Sequence, residues 1–305
     1  MLDRIRASLG EVIRGKPEVI DLLLVGVLGA GHVLVEDVPG VGKTTLAKAL
    51  ARSFRIRFTR VQFTPDLLPS DILGAQVLNP RDGSFSFHRG PVFTHVLLAD
   101  EINRASPRTQ SALLEAMNEG QATIDGTTHP LPQPFFVIAT QNPADYQGTY
   151  PLPEAQLDRF LLRIGVGYPD PEQELAVLFA HQKSSPLELV EPLADEHQLR
   201  IMQEEVRTIA VKEDVARYLL RVVSATRQHP DIELGASPRG ALAFFRAVQA
   251  HALMQRRAYA SPLDVQMMAR PVLAHRLQLT AQARYGGTTA DSVLSSILAS
   301  LAVPA

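Results

Sequence analysis

The sequence predicts an α/β fold: a five-stranded parallel sheet between helices, with two β-hairpin inserts, followed by a smaller all-helical domain. Three observations carry this expectation. Strand and helix signals alternate along residues 1–168, a glycine-rich loop joins the first strand to a helix, and strand signals stop after Tyr168-Pro169-Asp170-Pro171. Strands that alternate with helices pair in parallel and have both faces covered. A chain of 305 residues is long enough for two domains, drawn at 1–168 and 169–305.

The elements follow in order. Residues 1–30 read as helical, with a turn at Arg14-Gly15-Lys16-Pro17 and Pro17 at a helix start. Strands are expected at 32–36, 57–63, 95–99, 135–140 and 161–166, with helices at 43–55 and 107–119. Val96-Leu97-Leu98-Ala99 and Phe135-Phe136-Val137-Ile138-Ala139 are unbroken apolar runs, as strands buried on both faces require. Two hairpins interrupt the pattern. Ala75-Gln76-Val77-Leu78 and Ser84-Phe85-Ser86-Phe87 flank a turn cluster ending Asp82-Gly83, and Gln121-Ala122-Thr123-Ile124 and Thr127-Thr128-His129 flank Asp125-Gly126. Asp-Gly is a strong hairpin-turn signal. Beyond residue 170, helices are expected at 171–183, 194–205, 212–228, 238–256, 262–277 and 289–301. Val215, Leu219, Val222 and Val223 keep helical spacing, as do Ala241, Phe244, Phe245 and Val248. Ser237-Pro238 and Ser261-Pro262 each offer an N-cap followed by proline at the first helical position.

Composition narrows the classes. Hydrophobic residues make up 46% and charged residues 20%, which describes a globular chain. Cysteine is absent, which removes disulfides, thiolate catalysis and Cys-type zinc sites and fits a reducing compartment. The 9 histidines show no clustered ligand spacing, so no protein-held zinc site is assigned. The net charge of −2 offers no global attraction to nucleic acid or anionic membrane. The charged start Met1-Leu2-Asp3-Arg4 lacks a signal-peptide core, and the apolar stretch 19–35 is broken by Asp21, Gly26, Gly29, Gly31 and His32. A cytoplasmic protein without membrane insertion is therefore expected.

The most informative stretch is Asp37-Val38-Pro39-Gly40-Val41-Gly42-Lys43-Thr44-Thr45. It lies between a strand and a helix, the context that gives a phosphate-cradling loop its meaning. Glycines let backbone N–H groups surround anionic oxygens, and the following helix adds the positive end of its dipole. Lys43 is suited to the β- and γ-phosphates and the Thr44 hydroxyl to Mg²⁺. One position departs from G-x-x-x-x-G-K-[ST]: Asp37 stands where the first glycine belongs.

Chemistry converges on the same sheet edge. The strand Val96–Ala99 ends in Asp100-Glu101, and strand C-terminal ends face the ligand crevice of such sheets. Asp100 is the expected Mg²⁺ partner of Thr44, and Glu101 the general base for water. The run 135–140 delivers Asn142 to that edge to orient water or touch the γ-phosphate. Arg159, in Leu157-Asp158-Arg159-Phe160, is suited to reach a neighbouring subunit's γ-phosphate. Arg239 sits in the first turn of a helix, where a cation opposes the dipole unless an anion is near.

In this order, Gly40-x-Gly42-Lys43-Thr44, Asp100-Glu101, Asn142, Asp158-Arg159-Phe160 and Ser237-Pro238-Arg239-Gly240 resemble an AAA+ ATPase. The runs Gln62-Phe63-Thr64-Pro65-Asp66-Leu67-Leu68-Pro69-Ser70-Asp71, Asp100-Glu101-Ile102-Asn103-Arg104-Ala105 and Pro151-Leu152-Pro153-Glu154-Ala155-Gln156-Leu157-Asp158-Arg159-Phe160 resemble the MoxR family, over nearly the whole chain. The resemblance implies an αβα AAA+ nucleotide domain plus a helical lid, assembled as a homo-oligomeric, hexameric ring that uses ATP and Mg²⁺. It makes Pro39, Gly40, Val41, Gly42, Lys43, Thr44 and Thr45 the Walker A loop, and Asp100 and Glu101 Walker B. Asn142 corresponds to sensor 1, Arg159 to the arginine finger and Arg239 to sensor 2. The hairpin near 75–90 corresponds to the helix-2 insert, and that near 121–130 to the pre-sensor-1 hairpin. Ile13 and Gly15 resemble the adenine-pocket loop. Arg104 and Arg108 are rival trans-acting arginines ranked below Arg159, and Gln62 is a candidate restraint on Glu101. ATP binding is expected to survive Asp37.

The leading expectation is an ATP-driven remodelling chaperone whose hairpins act on a client. The resemblance implies partners with von Willebrand factor A domains and roles in maturation or metal insertion. A chelatase-type motor subunit shares that engine. A DNA-dependent motor is disfavoured, because one hairpin tip pairs Arg81 with Asp82 and the other carries Asp125 with no Lys or Arg, where a phosphate-tracking surface is basic.

Overall fold

The computed structural model describes residues 1–38, 40–142, 148–181 and 186–304. Five strands, His32–Glu36, Phe58–Gln62, Val96–Asp100, Phe136–Gln141 and Phe160–Ile164, form one parallel sheet. Their spatial order is 58–62, 96–100, 136–141, 32–36, 160–164. The strands expected from sequence are thus present, each within a residue or two of its expected bounds. Val33, Leu34, Leu97, Leu98, Ala99 and Val137 are wholly buried, because these strands have helices on both sides. Register places Gln62 opposite Asp100 and Ala99 opposite Ala139. Parallel pairing therefore brings Gln62, Asp100 and the residue after Ala139 to one end of the sheet.

Two compact units are distinguished: Met1–Ile20, Leu34–Leu152 and Gly165–Leu199 form the first, and Asp21–Val33, Pro153–Ile164 and Arg200–Ala305 the second. The sequence reading drew a single cut between 168 and 169. The units interleave along the chain because spatial contact, not sequence order, defines them.

In the first unit, the helix Lys43–Ser53 follows the strand His32–Glu36 directly, and Leu46, Ala47, Ala49 and Leu50 bury its inner face. The hairpins pair Gly74–Leu78 with Phe85–Arg89 and Gln121–Ile124 with Thr127–Pro130, both antiparallel. Asp125 and Gly126 both have positive φ, 49° and 76°, the backbone a tight two-residue turn needs. Phe87 stacks on His129 with ring centroids 4.0 Å apart, so one aromatic contact joins the two hairpins.

In the second unit, the helices Glu213–Gln228, Pro238–Met254, Pro262–Leu273 and Ala290–Ser300 bury Tyr218, Val222, Phe244, Val265, Val272 and Leu294 completely. Ser237 caps its helix as expected, its hydroxyl oxygen accepting from the Gly240 N–H at 2.9 Å. Ser261 works differently: its N–H and hydroxyl both donate to Asp264, at 2.7 and 2.8 Å. Several details differ from the sequence reading, an unexpected short helix at Ala281–Tyr285 among them. Strands do not vanish after residue 168, since Ile232–Leu234 pairs antiparallel with Gln278–Leu279. The helix expected to reach 277 ends at Leu273, and a tighter turn covers Ala274–Arg276.

Candidate nucleotide-binding site

The loop after the first strand has the backbone that phosphate binding demands. Gly40 and Gly42 both have φ near 88°, a conformation open to glycine and costly to other residues. Gly42 is the N-cap of the helix Lys43–Ser53, so the first free N–H groups of that helix face the loop. Asp37 has a structural explanation. Its carboxylate turns away from the loop and accepts from the backbone N–H of Val38 at 2.8 Å, and of Val166 and Gly167. The acid at the first Walker glycine position is therefore a brace that ties the loop's entry to residues 166–167. Lys43 Nζ donates to the Asp37 main-chain oxygen at 2.8 Å. Burial pulls the Lys43 ammonium below its ordinary value, and the carboxylates of Asp37, Asp100 and Glu101 oppose that shift.

A cleft of about 370 Å³ opens over this loop. Gly40, Gly42, Lys43, Thr44, Thr45, Asp100, Glu101 and Asn142 line it, with Gln62, Arg60 and Thr140. Asp100 Oδ1 accepts from the Thr140 hydroxyl at 2.6 Å, and Oδ2 from Arg60 Nε and Nη2 at 3.1 and 2.7 Å. Glu101 has φ 55°, a left-handed conformation that acidic residues adopt at some cost. Its N–H donates to the Thr140 oxygen at 2.9 Å. Its Oε2 accepts from Gln62 Nε2 at 2.7 Å and Arg104 Nη1 at 2.8 Å. Arg60 Nη2 also donates to Gln62 Oε1 at 2.8 Å, which closes a chain from Asp100 to Glu101. The residues singled out as restraint and base are thus in direct contact. Arg104, ranked as a rival trans-acting arginine, holds its own chain's Glu101.

A second cleft of about 300 Å³ adjoins the loop and is mostly apolar. Val12, Ile13, Val41, Gly42, Val166 and Val177 are among its walls, a lining suited to a flat heterocycle. Gly15 has φ 71°, and a Cβ there would lie 1.9 Å from the Gln173 side chain. That residue shapes the turn beside this cleft. Pro39 lies outside the described residues. Arg159 and Arg239 belong to the second unit: Arg159 follows the short helix Glu154–Leu157, and Arg239 lies in the first turn of Pro238–Met254.

Sequence reasoning missed Thr140, Arg60 and the part played by Asp37. Thr140 is wholly buried, and its position two residues before Asn142 was the available signal. Arg60 shares a strand face with Gln62, the clue that both meet the acids.

The donor set suits the groups the loop implies. A threonine hydroxyl and a carboxylate on one cavity wall match a hard divalent cation. Two left-handed glycines, Lys43 and a helix N-terminus match a polyphosphate.

Residues 32–162 match the model of the ATPase family associated with various cellular activities (AAA), and residues 224–297 the AAA lid domain. Fold and site together thus define a P-loop ATPase of the AAA+ class. Protein YeaC of Bacillus subtilis is 46% identical over 304 residues, covering 100% of this chain and 95% of its own. Chaperone MoxR1 of Mycobacterium tuberculosis is 41% identical over 312 residues, covering 99% of this chain and 82% of its own. A crystal structure of a candidate ATPase from Cytophaga hutchinsonii superposes with a TM-score of 0.91 at 37% identity, covering 99% of this chain and 94% of that one. The chain belongs to the MoxR family of AAA+ ATPases.

Proposed function

We propose that this protein is an ATP-hydrolysing remodelling motor of the chaperone type, working at the subunit interfaces of a homo-oligomeric, hexameric ring. The observation that carries this reading is the placement of Glu101. Its carboxylate shares one cleft with Lys43, Thr44 and Asp100, and Gln62 and Arg104 hold it by a single oxygen. A carboxylate held this way is oriented yet keeps its second oxygen to accept a proton from water.

In this reading Lys43 and the backbone of Gly40–Thr45 hold the β- and γ-phosphates, and the apolar cleft beside Ile13 and Gly15 takes the adenine. Thr44 and Asp100 hold Mg²⁺, which when bound neutralises charge on the phosphate oxygens. Glu101 accepts the proton of the attacking water, and Asn142 orients that water. Arg159 supplies positive charge to a neighbouring subunit's γ-phosphate, and Arg239 senses the nucleotide. Gln62 competes with water for Glu101 and so couples hydrolysis to partner contact. The chaperone assignment draws on the 41% identical Chaperone MoxR1. We extend it to partners with von Willebrand factor A domains, to client maturation or metal insertion, and to a cytoplasmic setting. No helix among the described residues is long and apolar enough to cross a membrane.

Steady-state ATP turnover of Glu101→Gln tests the reading. Loss of the base should lower kcat by about 10²–10⁴-fold, with ATP affinity retained. Turnover equal to the parent's would remove Glu101 from the role.

A further inference from the structure

Arg276 is buried in the second unit, with 5% exposure. Arginine is almost never buried without partners, and here most of them lie at the turn around Arg159. Nε donates to Asp158 Oδ1 at 2.9 Å. Nη2 donates to the main-chain oxygens of Asp158, at 3.3 Å, and Phe160. Nη1 donates to the Leu161 oxygen at 3.3 Å and to that of Val272. Burial pushes the guanidinium pKa down to about 10 against the pull of Asp158. The guanidinium therefore grips the backbone on both sides of Arg159.

The other oxygen of Asp158 reaches the N-cap of the helix that bears the second arginine. Asp158 Oδ2 accepts from the Ser237 hydroxyl at 2.9 Å. The same hydroxyl oxygen accepts from Gly240 N–H at 2.9 Å and caps the helix that bears Arg239. Gly240 makes room for this arrangement. A Cβ there would lie 3.0 Å from Arg276 Cδ, 3.4 Å from Nε and 3.6 Å from Asp158 Oδ1. Ser237 and Gly240, which bracket Pro238-Arg239, are thus both committed to the pair. If only cohesion were required, an apolar contact of equal volume would serve as well. What a forked arginine adds is a fixed direction.

We propose that Arg276 and Asp158 are positioning residues, a buried clamp that fixes the Arg159 turn and the first turn of the Arg239 helix as one body, so that both arginines are presented to phosphate together. This rests on the reading that Arg159 and Arg239 serve the nucleotide.

The test uses the full chain, with kcat and KM for ATP, affinity for a fluorescent ADP analogue and thermal melting. Arg276→Met and Asp158→Asn should lower kcat by about tenfold or more, as small misplacements of catalytic groups do. ADP affinity should stay within about twofold, because the loss falls on the transition state. In the Arg159→Ala, Arg239→Ala background, single-turnover rates should show no further loss from Arg276→Met, since residues acting as a unit are not additive. A folded Arg276→Met with parental kcat, or a full extra loss in that background, overturns the inference. Should Arg276→Met fail to fold, Asp158→Asn carries the same comparison, and failure of both to fold overturns it in favour of cohesion alone. Parental turnover in both Arg159→Ala and Arg239→Ala overturns the underlying reading. That outcome differs from the case in which those two lose turnover and Arg276→Met does not.

Discussion

Replacing Asp37 by glycine installs the residue that the phosphate-loop pattern asks for, and the geometry argues that it harms the protein. The carboxylate is 9% exposed and accepts from Val38, Val166 and Gly167. Its partners differ in what they lose. Gly167 is exposed, so water can replace the acid there. Val166 is 6% exposed, so its N–H is left buried without an acceptor. That orphaned donor costs about 1–3 kcal/mol. The freedom of a new glycine in the unfolded chain adds roughly 0.5–1 kcal/mol. The expected loss is therefore about 1.5–4 kcal/mol, a large share of the roughly 5–15 kcal/mol that holds a typical protein folded. Denaturant unfolding followed by far-ultraviolet circular dichroism measures it, as a lower midpoint at unchanged slope. ATP affinity should not improve, because Lys43 contacts the main-chain oxygen of residue 37, which glycine also has. An Asp37→Gly protein as stable as the parent that binds ATP more tightly would refute the reasoning.

Two further outcomes follow from buried groups. Thr140→Val keeps volume but removes the hydroxyl that holds Asp100 Oδ1 and the Glu101 N–H; kcat should fall about 10–100-fold, matching roughly 1–3 kcal/mol of lost support, and a parental kcat would show that this hydroxyl does not orient the acids. His95 accepts from the Arg57 N–H at Nδ1, lies 3.1 Å from Glu196 through Nε2, and is pushed below its ordinary value by burial, with Glu196 opposing. The folded state then binds fewer protons at this site than the unfolded state, so stability should fall as pH drops below about 6.5. Buried His275 is shifted the same way. His95→Gln should flatten part of that slope in denaturation midpoints taken from pH 7.5 to 5, and an unchanged slope would show that His95 contributes none of it.

The sheet was legible because its signals are local. Unbroken apolar runs such as Val96–Ala99 and Asp-Gly turns such as Asp125-Gly126 declare themselves within a few residues. The two-residue strand Gln278–Leu279 is too short to show any period, so the ribbon with Ile232–Leu234 was missed. Gln62, Asp100, Glu101 and Asn142 were legible as a group because parallel strands deliver their C-terminal ends to one edge. Asp37 and Arg276 were not. Their partners lie 129 and 118 residues away for Val166 and Asp158, and no short-range pattern encodes a side chain that turns from a motif to brace a distant backbone. Arg276 also runs against the expectation that arginine lies at the surface.

These long-range contacts separate what is fixed in the molecule from what can exchange. Arg60 and Arg104 are 48% and 47% exposed in their pairs with Asp100 and Glu101. Exposed pairs contribute about 0–1 kcal/mol, so a phosphate or a partner residue of ordinary charge can displace them. Thr140 and the Asp37 brace are buried, as is Arg276. Losing a buried hydrogen-bond partner costs about 1–3 kcal/mol, and breaking the buried Arg276–Asp158 pair about 3–5 kcal/mol, more than such an exchange supplies. The acids of the cleft are thus held from behind by the buried Thr140 hydroxyl and faced in front by the more exposed Arg60 and Arg104. The proposed motor needs this division: the carboxylates proposed to hold Mg²⁺ and activate water must keep their positions through every cycle while the charges they face are replaced.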